Sequence, residues 1–407
     1  MKSFLLLTLL TLTLTASVTY DTSKAIKDTS YKYFNTYLCA HDLLDNMGMG
    51  WNLGNSLDCA GDGFNNEGLS SETSWGNTKT TQALINTVAN KGFKTIRIPV
   101  SWHNHIIDYQ YTIDPNWTKR VKEVVDWAIA KGLYVIINVH HDVAANSHIS
   151  YGEGYYPNKA SQTESTKFLL NVWTQIALAF NNGYDEHLIF EALNEPRLRG
   201  NTYEWWYNAG NSDCEEANEV LNNYNKLILG VIRTSGGNNL KRFIMFTSQG
   251  ASFGSVTGSN FVIPDDTVYN PDTSLRRILI TVHMYSPYNF ALDAYSGVTT
   301  CDSSCKSELD TYFNTLYNTF VLKGYRVVVG EMGAINKNNV SARVAWAKYF
   351  VTQARSKGLA SIVWDNEYWG TGTETETLGL LHRDTLYWEP EELVNALISA
   401  AKTTLAW

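Results

Sequence analysis

The sequence predicts an α/β protein that folds as a single-domain (β/α)8 barrel, on the basis of three observations. Short apolar runs alternate with longer segments of helical periodicity over most of the 407 residues. The runs are continuously apolar, as expected for parallel strands that are buried on both faces. There are eight of them, and neither a linker nor a repeat divides the chain, so a closed barrel is favoured over an open sheet.

The predicted elements follow one another regularly along the chain. The strands are predicted at 47–53, 95–100, 134–140, 188–195, 242–247, 278–283, 325–330 and 360–364. The helices are predicted at 78–91, 118–131, 161–182, 215–235, 306–323, 341–357 and 391–402. A glycine follows each of the first six helices, which is a common helix stop. Residues 248–277, between the fifth and sixth strands, are expected to be irregular.

The N-terminal residues have the pattern of a secretory signal. Lys2 precedes an apolar stretch that ends near Leu14, and the small residue Ala16 follows. Threonines interrupt the leucines, which makes the stretch too short and too weakly apolar to span a membrane. We therefore expect a signal peptide at 1–18, an N-terminal extension at 19–41, a barrel domain at 42–407, and a secreted, extracellular protein without a membrane segment.

The composition excludes some classes of partner. The net charge of −8 argues against nucleic acid, which attracts basic surfaces. The 13 tryptophans and 24 tyrosines are expected to fill the core for the most part. Those on loops are equally suited to stacking on sugar rings, because they combine a large flat face with a polar edge. These loop aromatics are Tyr155, Tyr156, Trp205, Trp206 and Trp369.

The chain has five cysteines, an odd number, so at least one thiol stays unpaired within a monomer. In an oxidising compartment Cys301 and Cys305 are the favoured disulfide pair, and Cys39 with Cys59 is a weaker candidate. Neither paired CxxC motifs nor HExxH is present, which argues against a zinc site.

Polar or aromatic residues follow nearly every predicted strand. In a barrel the C-terminal ends of the strands meet on one face, where catalytic groups lie. Two of these residues are carboxylates, Glu195 and Glu331. Pro196 ends the fourth strand directly after Glu195, because proline has no N–H for the sheet. A pair of carboxylates at strand ends is the requirement for glycoside hydrolysis.

The set of motifs resembles glycoside hydrolase family 5, and most closely its subfamily 4 of endo-β-1,4-glucanases. The matching segments are GWNLGN at 50–55, ETSWG at 72–76, RIPVSW at 97–102, VHH at 139–141, NEP at 194–196, HMY at 283–285, GE at 330–331 and Trp364. Their order along the chain makes the resemblance specific, although each motif alone is weak.

The resemblance implies roles for individual residues. Glu195 would be the acid/base and Glu331 the nucleophile of a retaining double displacement. Supporting roles fall to Arg97, His140, Asn194, His283 and Tyr285, with Asn194 expected to bond the sugar 2-hydroxyl and Tyr285 to orient Glu331. Substrate contacts fall to Asn55, Asp58, His141 and Trp364. The implied protein is a monomer that acts on β-glucan without a cofactor or metal.

Several alternatives remain open. Glu191 is expected to be a structural ion-pair partner inside the barrel. His140 and His141 form a possible metal site with Asp142, although a further ligand at metal spacing is missing. A β-mannanase would share the same catalytic core, and a sugar-binding protein would be an inactive barrel. The sequence GASFG at 250–254 matches an esterase motif around Ser252, with His283 or His382 as the base. Residues 255–266 after it, however, are expected to form a loop and not the required helix.

Overall fold

The computed structural model describes residues 22–61, 66–370 and 376–406. Eight parallel strands form a closed barrel in sequence order, with the first strand pairing with the eighth. The strands are β1 (Met49–Asn52), β2 (Thr95–Ile98), β3 (Tyr134–Asn138), β4 (Leu188–Glu191), β5 (Ile244–Phe246), β6 (Ile278–His283), β7 (Arg326–Met332) and β8 (Leu359–Val363). The predicted barrel is confirmed.

The helices surround the barrel. The α-helices are α1 (Ala40–Met47), α2 (Gln82–Lys91), α3 (Pro115–Ala130), α4 (Gln162–Ala179), α5 (Ser212–Thr234), α6 (Phe253–Thr257), α7 (Tyr288–Ala291), α8 (Ser303–Thr319), α9 (Val340–Ser356) and α10 (Glu391–Ala400). Short 3-10 helices occur at Gly68–Thr73, His103–His105, Gly237–Leu240, Gln249–Ala251, Thr273–Leu275 and Val321–Lys323. No helix in the described ranges is long and apolar enough to cross a membrane.

Capping explains where helices begin and end. Helix α3 begins three residues before its predicted start, because Asp114 accepts a hydrogen bond from the amide of Asn116 and Pro115 fits the first helical turn. Helix α2 ends at Lys91, as predicted, because the next residue, Gly92, has a φ of 115° that is accessible to glycine. Residues 248–277 contain only 3-10 turns and the five-residue α6, as expected of an irregular crossover.

Side chains of successive strand residues point to opposite faces of the sheet, and two cores result. Val135 and Ile137 of β3 pack outward among the helices, whereas Ile136 packs inside the barrel. Leu43 and Leu44 of α1 join this inner cluster. Helix α1 therefore closes the N-terminal end of the barrel and leaves the opposite end for the site.

Helix α1 was not predicted, and it changes two expectations. The first strand begins two residues late because α1 runs to Met47 and Gly48 adopts a φ of 51°. The pairing of Cys39 with Cys59 is wrong: both are free thiols. Cys39 caps α1 below the barrel, whereas Cys59 follows the C-terminal end of β1, so the strand itself separates them. The disulfide between Cys301 and Cys305 is confirmed.

The N-terminal extension has no regular structure between 26 and 39 and is tied to the outside of the barrel. The amides of Asp28 and Lys32 donate to the carbonyls of Leu178 and Asn182. The predicted signal peptide lies outside the described residues. A second unpredicted element, the hairpin of β9 (Leu381–His382) and β10 (Tyr387–Trp388), lies between β8 and α10.

Candidate active site

Arg97 is the centre of a buried hydrogen-bond network at the C-terminal end of the barrel. Its side chain is fully buried. It donates to Glu191 from Nε at 2.8 Å, to Glu331 Oε1 from Nη1 at 2.8 Å and to Asn194 Oδ1 from Nη2 at 2.7 Å. Nη1 also donates to Asn52. One guanidinium thus links β1, β2, β4 and β7, and the expected structural ion pair of Glu191 is confirmed.

Glu331 is held from both of its oxygens. Arg97 donates to Oε1, and the Tyr285 hydroxyl donates to Oε2 at 2.9 Å. The contact that was expected between Tyr285 and Glu331 is therefore present. Two donors on one carboxylate fix its orientation and favour its charged form.

Glu195 lies opposite, on the loop that follows β4. Its Oε1 is 2.7 Å from His283 Nδ1, and the same ring nitrogen is 3.6 Å from Glu331 Oε1. His283 therefore bridges the two carboxylates. One oxygen of each glutamate and a ring nitrogen of His283 lie within 4.8 Å of one another.

These three groups share their protons. Burial lowers the pKa of His283, but the charge of Glu331 and the hydrogen bond with Glu195 outweigh it and raise that pKa. Burial raises the pKa of Glu195, yet the hydrogen bond and charge of His283 lower it overall. Burial also raises the pKa of Glu331, against the charges of His283 and Arg97. Because the low pKa of Glu195 depends on a charged His283, the substrate-free triad titrates as one system.

His140 is neutral and its tautomer follows from its neighbours. Asn138 accepts a hydrogen bond from the amide of Val100, so its amide nitrogen must point to Glu191 and to His140 Nδ1, at 2.8 and 3.0 Å. Nδ1 of His140 is thereby an acceptor, and Nε2 carries the proton. Burial lowers the pKa of His140, which keeps the ring neutral.

Asp58 is completely buried, so the expectation that it contacts substrate directly needs correction. Its carboxylate accepts from the amides of Asn55 and Ser56, at 3.1 and 2.7 Å, and it shapes the turn after β1. Asn55 has a φ of 57° in this turn and is only half-buried. Burial raises the pKa of Asp58 to about 6.

Trp364 forms the floor of the site beside this turn. Its ring is parallel to that of His140 at a centroid distance of 5.9 Å. A methyl group added at Gly54 would lie 2.5 Å from the Trp364 ring, so glycine is required for this contact. His141 is partly exposed, and its ring lies 5.4 Å from that of Trp75, which is 44% exposed. Trp75, His141 and Trp364 thus provide aromatic surface on one side of the cleft.

The metal site considered from sequence is not formed. Asp142 accepts from the amides of Trp102 and His103 and is 3.0 Å from the His103 ring, so it is engaged away from His140 and His141. Within the described ranges, two groups bring three possible ligand atoms within 4.8 Å: Glu195 with His283 and Glu331, and Asp58 with His140 and His141. The contact between His283 and Glu195 accounts for the first group. In the second, the Asp58 carboxylate accepts from backbone amides, and its Oδ2 lies 3.9 and 3.7 Å from Nε2 of His140 and His141.

The esterase motif does not assemble a catalytic group. A helix does follow Ser252, namely α6, contrary to the expectation of a loop. The Ser252 hydroxyl, however, donates to the carbonyl of Gln249 at 3.0 Å. Of the two histidines considered as its base, His283 lies 2.7 Å from Glu195 and His382 lies 3.0 Å from Glu389.

A sequence profile described as Cellulase (glycosyl hydrolase family 5) matches residues 57–370. This range contains every strand of the barrel after β1 and both central glutamates. The chain belongs to glycosyl hydrolase family 5.

Relatives of this family 5 chain agree in fold and over most of its length. Endoglucanase A of Clostridium longisporum is 44% identical over 89% of the chain, and the chain spans 66% of that relative. A lichenase of family 5 from Caldicellulosiruptor sp. F32, solved as a mutant with cellotetraose, is 41% identical with a TM-score of 0.82, over 93% of this chain and 98% of that one. A broad specificity endoglucanase of subfamily 5-4 from Clostridium longisporum is 42% identical with a TM-score of 0.79, over 92% and 99%.

Two arginines near the site of this family 5 chain were not predicted from the sequence. Arg197 lies on the open side of Glu195, with Nη1 4.0 Å from Oε2. Arg383, in the turn of the β9–β10 hairpin, is buried and donates to the carbonyls of Gly54 and Asp365, at 2.9 and 2.8 Å. Arg197 stands directly after the NEP motif, which was a usable signal. Arg383 follows the apolar residues 378–381, but these lie beyond the eighth predicted strand, and the fold brings it to the site.

Proposed function

We propose that this chain is a secreted endo-β-1,4-glucanase that hydrolyses cellulose and mixed-linkage β-glucan, and also xyloglucan, with retention of anomeric configuration. The observation that carries the mechanism is the short distance between the carboxylates of Glu195 and Glu331, whose nearest oxygens lie within 4.8 Å. Retaining glycosidases separate their carboxyl groups by about 5–5.5 Å and inverting ones by about 6.5–9.5 Å, to admit a water molecule.

The assignment of roles follows from how each carboxylate is held. The side chain of Glu331 is 7% exposed and fixed by Arg97 and Tyr285, as suits a nucleophile that must be charged and correctly aimed. Glu195 is more exposed, at 17%, and its Oε2 has Arg197 Nη1 at 4.0 Å as its neighbour. It is the group that can reach both a leaving oxygen and an incoming water.

The reaction has two steps. Glu331 attacks the anomeric carbon while the glycosidic C–O bond breaks, and Glu195 gives its proton to the departing sugar oxygen. A water molecule then attacks the same carbon, Glu195 takes a proton from it, and the ester bond to Glu331 breaks. In the first step the proton must be on Glu195, whereas in the substrate-free site His283 lowers the pKa of Glu195 and burial raises that of Glu331. The two donors on Glu331 favour its charged form, and loss of the proton from His283 would remove the charge that lowers the pKa of Glu195. Asn194 accepts from Arg97 through its oxygen, which turns its amide nitrogen toward the sugar 2-hydroxyl.

The substrate class is supported by the relatives. These relatives are an endoglucanase, a lichenase solved with cellotetraose and a broad specificity endoglucanase. The aromatic floor formed by Trp364 and the half-exposed Trp75 suits flat glucose rings. Secretion is supported by the signal pattern at 1–18 and by the disulfide.

The test is hydrolysis of a glycan panel by the recombinant protein. We expect reducing-sugar release from carboxymethylcellulose, barley mixed-linkage glucan and tamarind xyloglucan, and little from xylan or glucomannan. Glu195→Gln and Glu331→Gln should each lose nearly all activity. Glu391→Gln, at an exposed ion pair on α10, is the matched control and should retain it.

Proton NMR of the first product distinguishes the mechanisms. Retention gives the β-anomer initially, and azide should restore turnover to Glu331→Gly as an α-glycosyl azide. An initial α-anomer would refute the double displacement. If the protein acts mainly on glucomannan, the proposed mechanism stands and the substrate assignment changes to mannan.

A further inference from the structure

Glu195 has a cation beside each of its two oxygens. His283 is 2.7 Å from Oε1 within the barrel, and Arg197 is 4.0 Å from Oε2 on the open side. The side chains of Arg197 and Glu195 are only 14% and 17% exposed, so solvent screens this pair incompletely. The family resemblance assigned no role to Arg197.

Arg197 is held in place without help from Glu195. Its Nε donates to Glu204 Oε1 at 3.0 Å, and its guanidinium lies 4.4 Å from the centre of the Trp205 ring. Glu204 in turn accepts from the amide of Gly200 at 2.9 Å. Because the loop fixes the guanidinium, its positive charge stays near Oε2 whether Glu195 is protonated or ionised.

We propose that Arg197 is a positioning residue that keeps Glu195 aimed at the cleft and favours its ionised form when it must act as a base. The proposal rests on the acid/base role given to Glu195 under the proposed function. In the first step Glu195 gives up a proton, and in the second it accepts one from water. A fixed cation favours loss of the proton from Glu195 in the first step. It also keeps the carboxylate ionised, so that it can accept a proton from water in the second step.

Other titratable groups also lie near Glu195, and Arg197 differs from them in position. These groups are His283 and Tyr285 from the β6 side, Glu331 from β7, and His141 and Tyr155 from the β3 side. Of these, Glu331 loses its charge when it becomes the ester. Burial raises the pKa of Glu195, and the charges of His283 and Arg197 lower it. Arg197 is the arginine beside Oε2 of Glu195, and its positive charge persists through both steps.

The test measures the pH dependence of each half-reaction. With 2,4-dinitrophenyl β-cellobioside the leaving group departs without a proton, so the second step limits kcat, and a burst of dinitrophenol verifies this. The acidic limb of kcat then follows the ionisation of Glu195 in the covalent intermediate. With cellotetraose, the basic limb of kcat/KM follows Glu195 in the free enzyme.

Arg197→Gln should move both limbs to higher pH by about 0.5 to 1 unit, the effect of one unit charge at about 4 Å under water-like screening. Arg197→Lys retains the charge and should leave both limbs within about 0.2 unit of the wild type. Arg199 lies in the same loop, and its side chain donates to the carbonyl of Val143. Arg199→Gln removes this cation and should leave both limbs of the pH profiles in place. Glu204→Gln keeps Arg197 but removes its neutralising partner, so the limbs should move to lower pH.

The outcomes separate the two proposals. Unmoved limbs in Arg197→Gln, or an equal shift in Arg197→Lys, would overturn the role of Arg197. If Arg197→Gln fails to fold, an unmoved or raised limb in Glu204→Gln would overturn it instead. Full activity of Glu195→Gln on cellotetraose would refute the proposed function itself, irrespective of the behaviour of Arg197.

Discussion

The buried charge network around Arg97 makes a prediction that separates stability from catalysis. Arg97→Met removes the guanidinium but leaves Glu191 fully buried and without its counter-ion. Breaking a buried ion pair in this way costs about 3–5 kcal/mol of unfolding free energy, because the remaining charge is uncompensated. The variant Arg97→Met/Glu191→Met removes both members of this pair and should recover part of that loss, while Glu331 keeps His283 and Tyr285 as partners but not Arg97.

Activity should not return with stability. Arg97 also donates to Glu331 and Asn194, and neither Met variant can replace these hydrogen bonds. Loss of a charged donor to a reacting group lowers kcat by about 100-fold or more, which corresponds to about 2.7 kcal/mol of transition-state stabilisation. We expect this loss in both the single and the double variant.

The assay combines denaturant unfolding with kcat/KM on cellotetraose for each folded variant. The matched control is Arg233→Met on α5, which breaks the buried pair of Arg233 with Asp266, remote from the site. It should lose a similar unfolding free energy and keep kcat/KM within about threefold. Recovery of activity in the double variant, or wild-type stability of Arg97→Met, would show that the network does not act as described.

Three further predictions concern the walls of the site. Tyr285→Phe removes one hydrogen-bond donor to Glu331 and should lower kcat about tenfold, while thermal unfolding should show that the fold is intact. An unchanged kcat would contradict the contact. Gly54→Ala should displace Trp364 and cost about 1–3 kcal/mol as well as raising KM, whereas the control Gly254→Ala has open space and should be silent. Because Asp58 has a pKa raised to about 6 in the folded state and an unfolded value near 3.8, its protonated form contributes stability that is lost as pH rises from about 4 to 6. Asp58→Asn should therefore gain stability relative to the wild type over that interval, and a difference in unfolding midpoint that is constant with pH would refute this.

The sequence predicted the barrel and its central site because strand ends have a strong signature. A polar residue at the end of a continuously apolar run is recognisable one strand at a time, and the parallel barrel then brings all such ends to one face. Glu195, Glu331, Arg97 and His283 were identified in this way. Their contacts confirm the grouping, and the structure adds that Arg97 holds Glu191 and Glu331 together.

The sequence could not predict features that depend on the third dimension alone. Spacing does not reveal that Cys39 and Cys59 lie at opposite ends of β1. Asp58 carries a polar side chain in a turn, and only the packed structure shows that it is buried beneath that turn. Arg383 reaches Gly54 from more than 300 residues away in the chain, with no periodic pattern to indicate it.

The contact between Gly54 and Trp364 lies where the barrel closes, between β1 and β8. The floor under the sugar is therefore assembled from the earliest and latest parts of the barrel, and Arg383 fastens them together from the following hairpin. During synthesis, a nascent chain with seven strands would already contain both glutamates and still lack this floor. Activity thus reports on the completion of the barrel, and a circular permutation that opens the chain elsewhere would make the same floor a local contact that forms early.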